Sequence, residues 1–252
     1  MALTLVTGSA GTLGSALVPR LIARGHHVRV LVHHTPADYP PLVQVVRGDV
    51  RSPAGMREAV AGVDAVVHTA TSPFRRAKTT ELEGTRAALA AAESAGAHFI
   101  YPSIVGVDRI GGTYYRAKWQ AEQVVESARH WTIQRATQLH PTLDRMLSHH
   151  LFPVTRHLAF QPLDAGDLAE HMIGHLEAGP AGRAEDFGGP DVLALRDLVA
   201  TRQAATNRRT TLVPVPAAGP LRALDAGYHL CPAHARGHLT WQQWLRSDEP
   251  AR

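Results

Sequence analysis

The chain has 252 residues, 44% apolar and 19% charged, with basic residues exceeding acidic ones by four; this fits a globular protein with a sizeable core and an anionic small ligand. No Lys/Arg block or basic stripe is present, which argues against a nucleic-acid partner. The single cysteine, Cys231, excludes an intrachain disulfide and a cysteine-based zinc site, no apolar run approaches the roughly 18 residues of a spanning helix, and the N-terminus does not read as a signal peptide, so a cytoplasmic protein without membrane association is expected.

Short β-branched apolar runs at 3–7, 28–32, 43–46, 65–68, 98–101 and 132–135 read as buried strands. Between most of them lie alanine-rich amphipathic stretches at 13–24, 54–61, 80–95 and 114–129, which read as helices. Strand and helix in alternation imply a parallel sheet covered on both faces. Glycine stands at two helix ends, in "ARG" at 23–25 and "SAG" at 94–96. Beyond about residue 137 the rhythm loosens. An apolar segment at 158–163 precedes a helix opening near Asp164, with Asp164 and Asp167 as candidate caps, and a second helix is expected over 194–205. A strand at 211–216 is stopped by prolines, and Thr240 and Gln243 stand in capping-box register before a terminal helix packed by Trp241 and Trp244. The expected fold class is α/β, a Rossmann-type doubly wound sheet over 1–140, with a small substrate-binding lobe over 141–252 interleaved with it as one structural unit.

The glycine spacing carries the strongest signal. Gly8, Gly11 and Gly14 form G-x-x-G-x-x-G directly after a strand and at the opening of a helix. Gly8 permits a tight turn, Gly11 lets main chain approach a pyrophosphate, and Gly14 allows close helix–strand packing. Ser9, Thr12 and Leu13 complete this dinucleotide-binding loop. The second strand ends "VLVHH", without the acidic residue that would hold a 2′-hydroxyl. His33 and His34 can donate to a 2′-phosphate instead, so NADP(H) is the preferred cofactor and NAD(H) the alternative.

The segments "TGSAGTLG", "GDV" at 48–50, "VVHTAT" at 66–71, "YPSIVGVD" at 101–108 and "YYRAK" at 114–118 occur in order. Together they resemble the atypical short-chain dehydrogenase/reductases, specifically the NmrA-like NAD(P)-binding group. The resemblance implies that Asp49 and Val50 line the adenine and that Thr69, Ala70 and Thr71 lie along the ribose and pyrophosphate. It implies Ser103 as the donor that orients a substrate carbonyl. Tyr114 would be the proton donor, and Lys118 a cofactor anchor whose ammonium lowers the tyrosine pKa. Spacing alone also puts Tyr115 on the Lys118 face; the family register selects Tyr114.

On the substrate side, Gln138 and His140 are the nearest polar candidates, with Phe152 as an apolar wall and Phe160 as core. Arg135 reads as structural, paired with Asp164. The sixteen histidines show no zincin pattern, so no metal site is expected. The reading is an NADP(H)-dependent oxidoreductase moving hydride to or from a carbonyl or activated double bond of a small molecule, acting as a monomer or homodimer. The alternatives are a cofactor-binding sensor without turnover, or an enzyme that isomerises its substrate beside bound cofactor.

Overall fold

Residues 1–33, 38–72 and 78–247 are described in a computed structural model of the chain. The strands are β1 (Leu3–Thr7), β2 (His27–Val32), β3 (Gln44–Arg47), β4 (Ala65–His68), β5 (His98–Ile104), β6 (Trp131–Ala136), β7 (Leu151–Val154), β8 (Ala159–Phe160), β9 (Gly182–Arg183), β10 (Leu193–Ala194) and β11 (Thr211–Pro214). The α-helices are α1 (Thr12–Ala23), α2 (Pro53–Ala59), α3 (Thr85–Ser94), α4 (Thr113–Val125), α5 (His140–Leu147), α6 (Ala165–Ala178), α7 (Leu195–Thr206), α8 (Pro220–Asp225) and α9 (Trp241–Arg246).

The seven-stranded sheet has the order β3-β2-β1-β4-β5-β6-β9, and its recorded pairings are parallel. β4 is buried along its whole length, as a strand covered on both faces must be, and this is why it reads as an unbroken apolar run. The chain runs outward from β1 to β3 and then resumes on the other side at β4. At such a reversal the carboxyl ends of neighbouring strands diverge and leave a crevice.

The chain divides into two compact units. The first comprises Met1–Ser103, Thr113–Gln134 and Ala169–Ala184; the second comprises Ile104–Gly112, Arg135–Leu168 and Glu185–Arg252. Residues 104–112 and 169–184 thus depart from a single division near residue 140. In the first unit Leu5, Leu31, Met56, Val66, Phe99 and Ile133 join Ala88, Ala91 and Ala92 of α3 in one buried cluster. Those alanines bury no long side chain, so the helix can pack close to the sheet. Cutting a residue such as Leu5 back to alanine removes about 2–5 kcal/mol of stability. The second unit has its own core, with Leu143, Phe160, Leu198, Trp241 and Trp244 among its members.

The helix expected over 80–95 is two pieces: a π-helix at Lys78–Gly84 runs into α3. Such wide turns occur where a side chain must be re-aimed, often at functional sites. Asp164 accepts from the main-chain N–H of Asp167 at 3.0 Å and so caps α6, whereas Asp167 ties down His238 and Leu239. Arg135 pairs with Asp108 at 2.8 Å, so the expected Arg135–Asp164 pair is not formed, because Asp164 is turned into its own helix. The capping box of Thr240 and Gln243 is present at α9.

Candidate functional site

A groove of about 710 Å³ opens in the first unit at the carboxyl ends of β1 to β4. Its walls are Gly8–Gly11 after β1, Leu31–His33 at the end of β2, Gly48–Arg51 after β3 and Thr69–Ser72 after β4, with Tyr39 and Thr80. The glycine loop is built for close approach. Gly8 has φ +67°, and a Cβ there would lie 2.6 Å from the Ala70 main chain; a Cβ on Gly14 would lie 2.3 Å from the Gly8 carbonyl oxygen. No side chain caps the N-terminus of α1, and no acidic residue stands in its first turn. The amides of Thr12, Leu13 and Gly14 therefore belong to an uncapped, electropositive helix end, the arrangement that receives a pyrophosphate. Thr69 donates to the Thr7 carbonyl at 2.7 Å, which fastens the end of β4 against β1. The cradle thus fits a dinucleotide.

Asp49 and His33 both line the groove, while His34 lies outside the described residues. Asp49 is engaged: the Arg51 Nε donates to both its oxygens, at 3.0 and 2.9 Å, and Nη2 lies at 2.5 Å. The His33 ring nitrogen stands 3.5 Å from the same carboxylate. The Arg51 hydrogen bonds hold the Asp49 carboxyl below its usual range. Sequence reasoning placed no arginine here. Its signal was Arg51 itself, two residues beyond Asp49 in "GDVR". Tyr39, also missed, bonds its hydroxyl to Ser9 Oγ at 2.6 Å across the groove.

A polar cluster lies beside the Thr71 wall. Tyr114 brings its hydroxyl to Thr71 Oγ1 at 3.0 Å, and Thr71 Oγ1 donates to Glu81 Oε1 at 2.5 Å. The Ser72 N–H donates to the same oxygen at 2.9 Å. Glu81 is fully buried, and its other oxygen lies 3.5 Å from Lys118 Nζ. Lys118 is itself buried, donates to the Pro102 carbonyl at 2.7 Å and sits 4.2 Å above the centre of the Tyr101 ring. His68 bonds Thr7 at 2.8 Å, and burial, with the Lys118 charge second, lowers its pKa to about 3.

Tyr114 and Lys118 therefore do share a helix face, and Tyr114 rather than Tyr115 reaches the groove wall. The expected lowering by Lys118 is present but outweighed: burial is the larger influence and raises the Tyr114 pKa, and Glu81 adds to the rise. Ser103 is buried, and its hydroxyl has no protein partner among the described residues.

In the second unit, His140 is fully buried with its ring 5.8 and 5.4 Å from those of Trp241 and Trp244. Phe152 packs at the edge of that core and Phe160 within it. Gln138 has both side-chain amide atoms buried without a hydrogen-bond partner among the described residues. Among the described residues no cluster of three or more histidine, cysteine or acidic side chains could hold a metal ion, and no helix is long and apolar enough to cross a membrane.

Comparison with known proteins agrees with this geometry. A 3-beta-hydroxysteroid dehydrogenase of Mycolicibacterium neoaurum is 35% identical over 112 residues, covering 38% of this chain and 30% of that protein. A ceramide reductase of Caulobacter vibrioides is 34% identical over 133 residues, covering 49% of this chain and 41% of that one. The chain thus spans less than half the length of these curated relatives. The fold matches the NADPH-dependent quinone oxidoreductase of Escherichia coli solved with NADPH, with a TM-score of 0.78, 16% identity, and 96% and 98% of the two chains covered. It also matches the UDP-glucose 4-epimerase of Thermus thermophilus solved with NAD, with a TM-score of 0.72, 19% identity, and 97% and 96% covered. Residues 8–145, more than half of the chain, match the protein family described as NAD(P)H-binding. With the glycine loop, the seven-stranded parallel sheet and that match in hand, the chain belongs to the NAD(P)H-binding family of Rossmann fold.

Proposed function

We propose that the chain is an NADP(H)-dependent oxidoreductase that reduces a carbonyl or activated double bond of a small molecule. The observation that carries the reading is the 3.0 Å contact between Tyr114 and Thr71, which brings a phenol hydroxyl to the rim of the glycine-loop groove. Dehydrogenase and reductase relatives support the same class of chemistry. Bound in the groove, the dinucleotide would supply or accept the hydride. Gly8, Ser9, Gly11 and the α1 N-terminus would hold its pyrophosphate, with Val50, Thr69, Ala70 and Thr71 along its length. Lys118 supplies positive charge that acts on Tyr114, and Tyr114 protonates the substrate oxygen as it gains charge. Ser103, with its unpartnered hydroxyl, donates to that same oxygen.

Preference for NADP(H) is supported by the end of β2, which has no acid, and by His33 and Arg51 as donors to a 2′-phosphate. Asp49 supports the opposite preference: freed from Arg51, it could accept from a 2′-hydroxyl.

The test is NADPH oxidation in the presence of small ketones, quinones and enones. The wild-type protein is expected to consume NADPH with at least one class. Tyr114→Phe should lower turnover about 10²-fold or more while leaving NADPH affinity nearly unchanged. NADPH binding without turnover on any class would favour the sensor reading, and unchanged turnover in the variant would remove Tyr114 as the acid.

A further inference from the structure

We propose that Glu81 is a positioning residue that, through Thr71 and Lys118, holds Tyr114 in its hydroxyl form and so sets the site toward reduction rather than oxidation. This rests on Tyr114 being the acid, as proposed above. The hydrogen-bond geometry has a direction. Glu81 Oε1 accepts from both the Thr71 hydroxyl and the Ser72 N–H. With its proton directed at Glu81, the Thr71 oxygen presents a lone pair to Tyr114, which must then donate. A phenolate at position 114 would face that lone pair instead of a proton.

Charge points the same way. Among the described residues, the groups facing Tyr114 are Lys118 on its own helix, Glu81 from the π-helix, Thr71 after β4, Tyr101 from β5 and the edge-on ring of Tyr115. Lys118 in turn faces Glu81, the Tyr101 ring, the Pro102 carbonyl and His68. His68 is neutral at pH 7, which leaves Lys118 and Glu81 as the opposed charges around Tyr114 among the described residues. Burial is the largest influence on Tyr114 and raises its pKa; Lys118 opposes it, and Glu81 acts with the burial and offsets part of the ammonium's pull.

In reduction, a bound nicotinamide cofactor would supply hydride to the substrate carbon, and Tyr114 would give its proton to the substrate oxygen. The phenolate then recovers a proton from solvent. Oxidation runs the other way and begins from the phenolate, the form that Glu81 disfavours. A site built this way donates readily at neutral pH and oxidises alcohols only in alkaline solution.

The test is an ultraviolet titration of tyrosinate, comparing the wild-type chain with Tyr114→Phe to isolate one of the five tyrosines. The Tyr114 midpoint is expected above the ordinary value of about 10; a midpoint below about 9 would show that Lys118 dominates and would overturn the proposal. In Glu81→Gln the midpoint should fall by about one pH unit or more, and the alkaline limb of the reduction rate should fall with it. An unchanged midpoint in a folded Glu81→Gln protein would also overturn the proposal. Should that variant fail to fold, the wild-type comparison still decides. The titration needs no substrate, so a protein that shows the raised midpoint but never oxidises NADPH sinks the enzyme reading and leaves the role of Glu81 standing.

Discussion

Within the first unit, the groove is made mostly of main chain and the cluster beside it mostly of side chains. The groove is shaped by what is missing: Cβ atoms at Gly8 and Gly14, a cap on α1, an acid at the end of β2. The cluster is shaped by what is paired: one carboxylate and one ammonium out of water, joined through Thr71 to a phenol. A main-chain cradle tolerates variation in most of its side chains and fails when an atom is added. A buried charge pair fails when either partner is removed, because the other is then stranded.

The largest effect should come from breaking the cradle. Gly14→Val puts side-chain atoms where even a Cβ would lie 2.3 Å from the Gly8 carbonyl oxygen. Overpacking of this kind costs about 1–3 kcal/mol or more. The thermal midpoint should drop by several degrees, and NADPH affinity by about 10²-fold, read by melting and by fluorescence titration. Retained affinity would show that the loop does not hold the pyrophosphate.

Acid acts on the buried side. His68, at about 3, and His98 and His140, each at about 4, all lie below the ordinary 6.5 because burial disfavours the imidazolium. The unfolded chain takes up these protons below pH 6.5 and the folded chain does not, so stability is full above pH 6.5 and falls as pH drops toward 4. Each histidine contributes a loss of about 1.4 kcal/mol per pH unit over that window. Denaturant midpoints at pH 7.5 and pH 5 check it; equal midpoints would mean that the rings titrate freely in the fold.

Arg51→Met tests the groove's cofactor preference. It should weaken NADPH binding about tenfold and leave NADH nearly unaffected, on the scale of one charge-assisted hydrogen bond. Equal loss for both would assign Arg51 to holding Asp49 alone. Tyr39→Phe should have the smallest effect, a few-fold in affinity for either cofactor, since it removes one hydrogen bond to Ser9 at the groove wall.

The two regions also differ in how far the sequence reveals them. The glycine loop is a contiguous pattern, and each glycine's role follows from local geometry, so Gly8, Gly11 and Gly14 could be assigned before any fold was known. Glu81 could not. In an amphipathic reading of 80–95 it is another surface acid. Only the π-helical turn, the end of β4 and α4 together reveal it as buried and paired. Lys118 was legible as the helix-face neighbour of Tyr114 from its spacing, but neither its counter-charge nor the burial that raises the Tyr114 pKa was. β9 and β10 escaped because two residues carry no alternation to detect. His140 reads as polar in sequence, yet stands in a core of tryptophans that lie a hundred residues further along the chain.

The most direct test of the central claim is a pair of fluorescence titrations of the wild-type protein, one with NADPH and one with NADH. The account predicts that NADPH binds the groove more tightly, by about tenfold as a charge-assisted contact to the 2′-phosphate would give. Equal or reversed affinities, or no binding of either nucleotide, would contradict it.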